Sequence, residues 1–69
     1  MQYLVVIEKA EGNFSAYLPD LPGCVATGET PEEAMDAIKK AVVMHLRGMK
    51  EDGIPLPVPT ARADYLQAI

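Results

Sequence analysis

A single cysteine, Cys24, rules out an internal disulfide, and with it the cross-linked frameworks that hold small secreted domains together. A single histidine, His45, joins it. One residue of each kind makes a poor zinc site, since a structural zinc wants four ligands. No cationic start leads into an apolar run, so no signal peptide is expected. No apolar run approaches the length needed to span a bilayer. No glycine-rich phosphate loop is present, because Gly23 and Gly28 lack the strand–loop–helix context it needs. A basic excess is missing too: the net charge is −4 and the pI about 4.7, which argues against direct binding to nucleic acid and favours a basic protein partner. Repeats and low-complexity segments are also absent.

What is there must fit into 69 residues, which sets a ceiling of one domain, residues 1–69. A core of this size rarely supplies more than about 3–5 kcal/mol, so self-association, most simply as a homodimer, is the expected support. The expected setting is the cytoplasm.

Residues 2–9, QYLVVIEK, are β-branched, aromatic and apolar on both faces, the pattern of a strand covered on two sides. Tyr3, Val5 and Ile7 share one face; Leu4 and Val6 share the other. AEGN, residues 10–13, supplies a tight turn, with Gly12 and Asn13 tolerating positive φ. Phe14, Ala16 and Leu18 then alternate with Ser15 and Tyr17, which completes a hairpin. Residues 25–29, VATGE, form a third short strand.

TPEEA, residues 30–34, is a helix start. Thr30 is the N-cap, Pro31 takes the first helical position, and Glu33 completes a capping box. Glu32 and Glu33 complement the positive end of the helix; Arg47 and Lys50 suit its negative end. The helix runs to about Glu51 and stops at Gly53, a natural residue for the left-handed position after a helix. Ala34, Ile38, Ala41, Val42, His45 and Met49 make its apolar stripe. Asp36–Lys40 and Arg47–Glu51 are spaced for ion pairs one turn apart. IPLPVP, residues 54–59, has a proline at every second position and reads as an extended return path, rather than as a ligand for a proline-binding groove. Residues 63–69, ADYLQAI, fit a final edge strand better than a short helix.

PDLPGC, residues 19–24, concentrates the unusual chemistry. A catalytic cysteine needs a base and a lowered pKa, whereas His45 sits on the helix stripe as a packed residue. Cys24 therefore reads as a small buried hydrophobe. Glu8, Asp20, Glu29 and Asp64 are the only candidates for a carboxylate-bound magnesium, and nothing in their spacing requires one. The remaining account is a rigid surface bend, with Pro19 and Pro22 fixing φ and Gly23 turning the chain into the third strand. A rigid bend loses little entropy on binding, so it can double as a contact surface.

The run FSAYLPDLPGCVATGETPEEA, followed by a helix closing in KEDGIPLPVP, strongly resembles the HicB family of antitoxins over residues 1 to about 60. The structural motif is carried by Pro19, Pro22, Gly23, Cys24, Gly28, Thr30, Glu33 and Gly53. The resemblance implies an α+β fold, a small antiparallel sheet with one helix on a face in the order β-β-β-α-β, likened to part of ribonuclease H. It also implies a non-enzymatic role without cofactor or metal: blocking HicA, a small basic toxin that cleaves mRNA. Many family members continue into a DNA-binding domain. This chain reads as a short form without one, so autorepression by it alone is not expected.

Charge patterning agrees with a binding role. Residues 1–30 carry Glu8, Glu11, Asp20 and Glu29 against Lys9, a balance of −3. Residues 31–53 set five acids against four bases. For the toxin contact, Asp20 is the first candidate, with Tyr17 and Leu21 as its apolar centre. The competing account is that Asp20 only ties down its own turn. Two other functions remain: a stand-alone homo-oligomeric regulatory module without a toxin, and a metal-dependent nuclease.

Overall fold

The computed structural model covers all 69 residues and has three strands and one helix. Strand β1 spans Val6–Ala10, β2 Asn13–Tyr17, β3 Val25–Gly28, and helix α1 Pro31–Glu51. The strands form an antiparallel sheet in the order β1-β2-β3. The fold is α+β, as expected, but the order is β-β-β-α: no strand forms in residues 63–69, and everything after residue 53 is irregular. Pro55, Pro57 and Pro59 deny that return path its backbone donors. β1 also starts later than the apolar run suggests, because residues 2–5 lie beyond the end of β2 and have no strand to pair with.

The hairpin turns at Glu11–Gly12, with Gly12 at φ 81°; Asn13 has negative φ and serves as the first residue of β2. In this register Ile7, Ala16 and Ala26 lie opposite one another on the helix-facing side. Val6, Tyr17 and Val25 form the corresponding row on the other side, where no element covers the sheet.

Helix α1 starts as its residues dictate. Thr30 Oγ1 accepts from the Glu33 N–H at 3.1 Å. The Glu33 carboxylate reaches back one residue further than the usual capping box and accepts from the Glu29 N–H at 3.0 Å. At the other end Gly53, φ 70°, follows the cap. Its N–H donates to the Lys50 carbonyl, and the Ile54 N–H donates to Met49. This pair of bonds is a Schellman motif.

The core is small. Ala16, Leu18, Leu21, Cys24, Ala34 and Ile38 are buried, with Tyr3, Val5, Phe14, Ala26, Met35, Ala41, Val42, Leu46 and Met49 packed around them. The helix stripe therefore turns slightly from the expected one: Met35 and Leu46 pack inward, and His45 is only half-buried. Neither Asp36–Lys40 nor Arg47–Glu51 closes. The only ion pair is Arg62–Asp64 at 3.8 Å, between exposed side chains. The helix lies mainly over β3 and β2, and at Gly28 it comes very close: a Cβ built there would collide with the backbone of Glu33 and Ala34.

Candidate partner-binding surface

PDLPGC is two consecutive turns. The Leu21 N–H donates to the Leu18 carbonyl at 3.1 Å, with Pro19 at the first corner. The Cys24 N–H donates to Leu21 at 3.2 Å, with Pro22 and Gly23 at the corners. Gly23 has φ 86°, as the second turn, of type II pattern, requires. The prolines pre-set φ at both first corners, so the bend is rigid for the reason its sequence suggests.

The side chains of the bend do not all point outward. Leu21 is 1% exposed and lies among the largest fully buried side chains of the protein. The expectation of an apolar partner contact at Leu21 gives way to a packing role, because the side chain is buried in the core cluster with Leu18, Cys24 and Ile38. Cys24 is buried beside it, and burial pushes its thiol pKa up, away from the thiolate that nucleophilic chemistry needs.

Asp20 is half-exposed, and neither account of it anticipates what it does. It does not cap its own turn. Its carboxylate accepts three hydrogen bonds from the return path: Oδ2 from the Ala61 N–H at 2.8 Å and the Thr60 N–H at 3.0 Å, and Oδ1 from the Thr60 hydroxyl at 3.1 Å. These donors, the Ala61 N–H first, hold its pKa below the ordinary 3.8 against the opposing effect of partial burial. A second tie stands nearby, where the Tyr3 hydroxyl donates to the Pro57 carbonyl. No signal local to either stretch pairs Asp20 with Thr60. A hydroxyl residue just after IPLPVP is the only hint, since an extended return path has to be fastened somewhere.

Tyr17 lies on the open sheet face at 37% exposure, with Val25 beside it at 61% and half-buried Val6 on its other side. Val25 and Val6 were not among the expected contacts. The alternation that assigned Tyr17 to this face would have found them once the strands were paired. The next row, Glu8, Ser15 and Thr27, is polar and sets one carboxylate against the apolar patch. Partial burial first, and then the neighbouring Glu8 carboxylate, push the Tyr17 phenol pKa above its usual 10.0. The surface is thus an apolar strip with an anionic border. That arrangement can hold an apolar centre of a partner and a cation beside it.

The four carboxylates considered for magnesium are not brought together: no group of three or more His, Cys, Asp or Glu side chains is placed to hold a metal ion. No helix is long and apolar enough to cross a membrane.

Comparison with known proteins adds three findings. The model of the family described as "HicB_like antitoxin of bacterial toxin-antitoxin system" matches residues 3–68. An uncharacterized 14.9 kDa protein in the rep-hol intergenic region of Haemophilus phage HP1 is 38% identical over 66 residues, covering 96% of this chain and 50% of the relative. Antitoxin HicB 1 of Photorhabdus laumondii is 35% identical over 69 residues, covering 96% of this chain and 44% of the relative. The chain therefore spans about half the length of these two relatives. Among solved structures, a chain of the "HicA3 and HicB3 toxin-antitoxin complex" superposes with a TM-score of 0.72 at 30% identity, covering 87% of this chain and 70% of that one.

Proposed function

The chain belongs to the HicB-like antitoxin family of bacterial toxin–antitoxin systems, and from that premise we propose that it acts by sequestering a small, basic, HicA-like toxin through protein–protein contact. The observation that carries the proposal is the likeness to a chain of a HicA–HicB complex over 87% of its length. The role is that of a cytoplasmic binding module, without catalysis. The open sheet face is the contact surface in this proposal: Tyr17, Val6 and Val25 supply the apolar centre, and Glu8 and the acidic hairpin end meet the toxin's cations. A ribonuclease must hold RNA largely by electrostatics, so an acidic protein can compete for the same surface with carboxylates in place of phosphates. In this proposal Asp20, whose oxygens are engaged with Thr60 and Ala61, contributes through its anionic field and not by direct contact.

The test is co-expression with the small basic protein encoded beside it, followed by pull-down and affinity measurement. A stable complex is expected. Tyr17→Ala should weaken it by about 2 kcal/mol, roughly 30-fold, as an aromatic anchor does. Glu8→Lys should slow association and change its salt dependence, with the melting temperature unchanged. No complex with the toxin, or one indifferent to both substitutions, counts against the proposal.

A further inference from the structure

The charges of α1 are sorted along its length. Residues 37–50 hold four of the chain's six lysines and arginines and none of its ten aspartates and glutamates. Lys39, Lys40, Arg47 and Lys50 are all exposed, and none is in an ion pair. At 100° per residue they share the side of the helix turned away from the sheet. Among them stand two apolar side chains, Val43 and Met44, which are 55% and 71% exposed. Val43 lies one turn from Lys39, Lys40 and Arg47, and Met44 one turn from Lys40 and Arg47. Lys39, Lys40, Val43 and Met44 line one shallow recess. Lys39 and Val43 also border an apolar groove of about 480 Å³ that reaches Tyr3 and Leu46.

We propose that this face of α1 docks an acidic amphipathic segment of a protein other than the toxin. An apolar side chain of that segment seats on Val43 and Met44, and carboxylates beside it meet Lys39, Lys40, Arg47 and Lys50. Charge selects the partner: a basic toxin is repelled here, so the inference stands apart from the proposed function. An apolar centre inside a polar rim is the anatomy of a protein interface. A nucleic acid would match the cations, but it leaves the apolar pair without a partner, and the acidic remainder of the chain repels phosphates. A helix that lies on a membrane turns its apolar stripe to the lipid, whereas in α1 that stripe is spent on the sheet, with Ala34 and Ile38 fully buried. The helix itself stands between this face and the open side of the sheet, so the two partners can be held at once.

The probe is a labelled synthetic helical peptide of about 15 residues, with leucines along one face and glutamates beside them, followed by fluorescence anisotropy at about 150 mM salt. Binding is expected. Lys40→Glu/Arg47→Glu should raise the Kd roughly tenfold or more, and so should Val43→Ser/Met44→Ser. Both double variants should keep the melting temperature, because all four side chains are exposed. The peptide should bind equally well to the complex with the toxin. A chain that binds the peptide and no toxin refutes the proposed function and supports this inference. A peptide that does not bind, or whose binding ignores both double variants, overturns the inference. So does polyglutamate of equal charge that binds as tightly, since the apolar pair then takes no part. A DNA duplex or a phosphatidylserine vesicle that binds more tightly through the same residues overturns it in favour of a nucleic-acid or lipid site. Self-association that is lost in Lys40→Glu/Arg47→Glu overturns it in favour of a second copy of this chain.

Discussion

Thr60 gives both its backbone N–H and its hydroxyl to the carboxylate of Asp20, at 3.0 and 3.1 Å, across 40 positions of the chain. This contact fastens the segment after the helix to the bend after the hairpin. It turns a residue that looks like a surface contact into a fastening for the fold.

Asp20→Asn should therefore loosen residues 58–62 without unfolding the sheet. Hydrogen exchange should show the Thr60 and Ala61 amides losing protection while β2 keeps its own. A variant with undiminished protection at both amides would remove Asp20 from this role.

The same tie should respond to acid. Its native carboxyl pKa lies below the ordinary 3.8, so the unfolded chain binds the proton more readily than the folded one. The contribution to stability is present above about pH 4 and is lost as pH falls through the lowered native value. In an acid titration followed by NMR, the Thr60 and Ala61 amides should shift together with the Asp20 carboxyl carbon. Amides that stay still through that titration argue against the bond.

Gly28→Ala should destabilise the protein. The new methyl meets backbone at the start of the helix rather than the end of a flexible side chain, so either the helix or β3 has to move. Overpacking of this kind costs about 1–3 kcal/mol. For a domain of this size each kcal/mol lowers the melting temperature by about 4–8 °C. An unchanged melting curve would show that the helix gives way freely.

Cys24→Ser should cost stability and leave partner binding intact. It places a hydroxyl in an apolar site, at about 1–3 kcal/mol if no partner is found, while Cys24→Ala should cost less. In the folded protein the thiol should resist alkylation and react promptly only on unfolding. A well-folded Cys24→Ser protein that binds nothing would restore a chemical role for the thiol.

Local patterns anticipate the regular elements well. Thr30, Pro31 and Glu33 mark the helix start, and Gly53 marks its end, because caps act over three or four residues of one segment. Alternation from Phe14 to Leu18 assigns the two sheet faces for the same reason. The pattern is weaker where an outcome depends on distant chain. Residues 2–5 look like strand but have no paired neighbour. Residues 63–69 look like strand but have none beside them in the structure. Leu21 looks exposed in a loop of prolines, yet it is buried in the core cluster with Leu18, Cys24 and Ile38. The helix stripe is off by part of a turn, since His45 and Leu46 both fit a 3.6-residue period and only packing decides between them. On the candidate surface Tyr17 was legible from alternation. Val6 and Val25 needed the strand register, and the occupation of Asp20 needed the whole fold.

The close approach of Gly28 to Ala34 leaves α1 held like a lever with its fulcrum at the N-terminal end. The stretch from Ile38 to Leu46 borders an apolar groove shared with Tyr3 and Val5 and has less beneath it on the β1 side. At the glycine, backbone meets backbone, so α1 and β3 are set against one another there with no side chain between them.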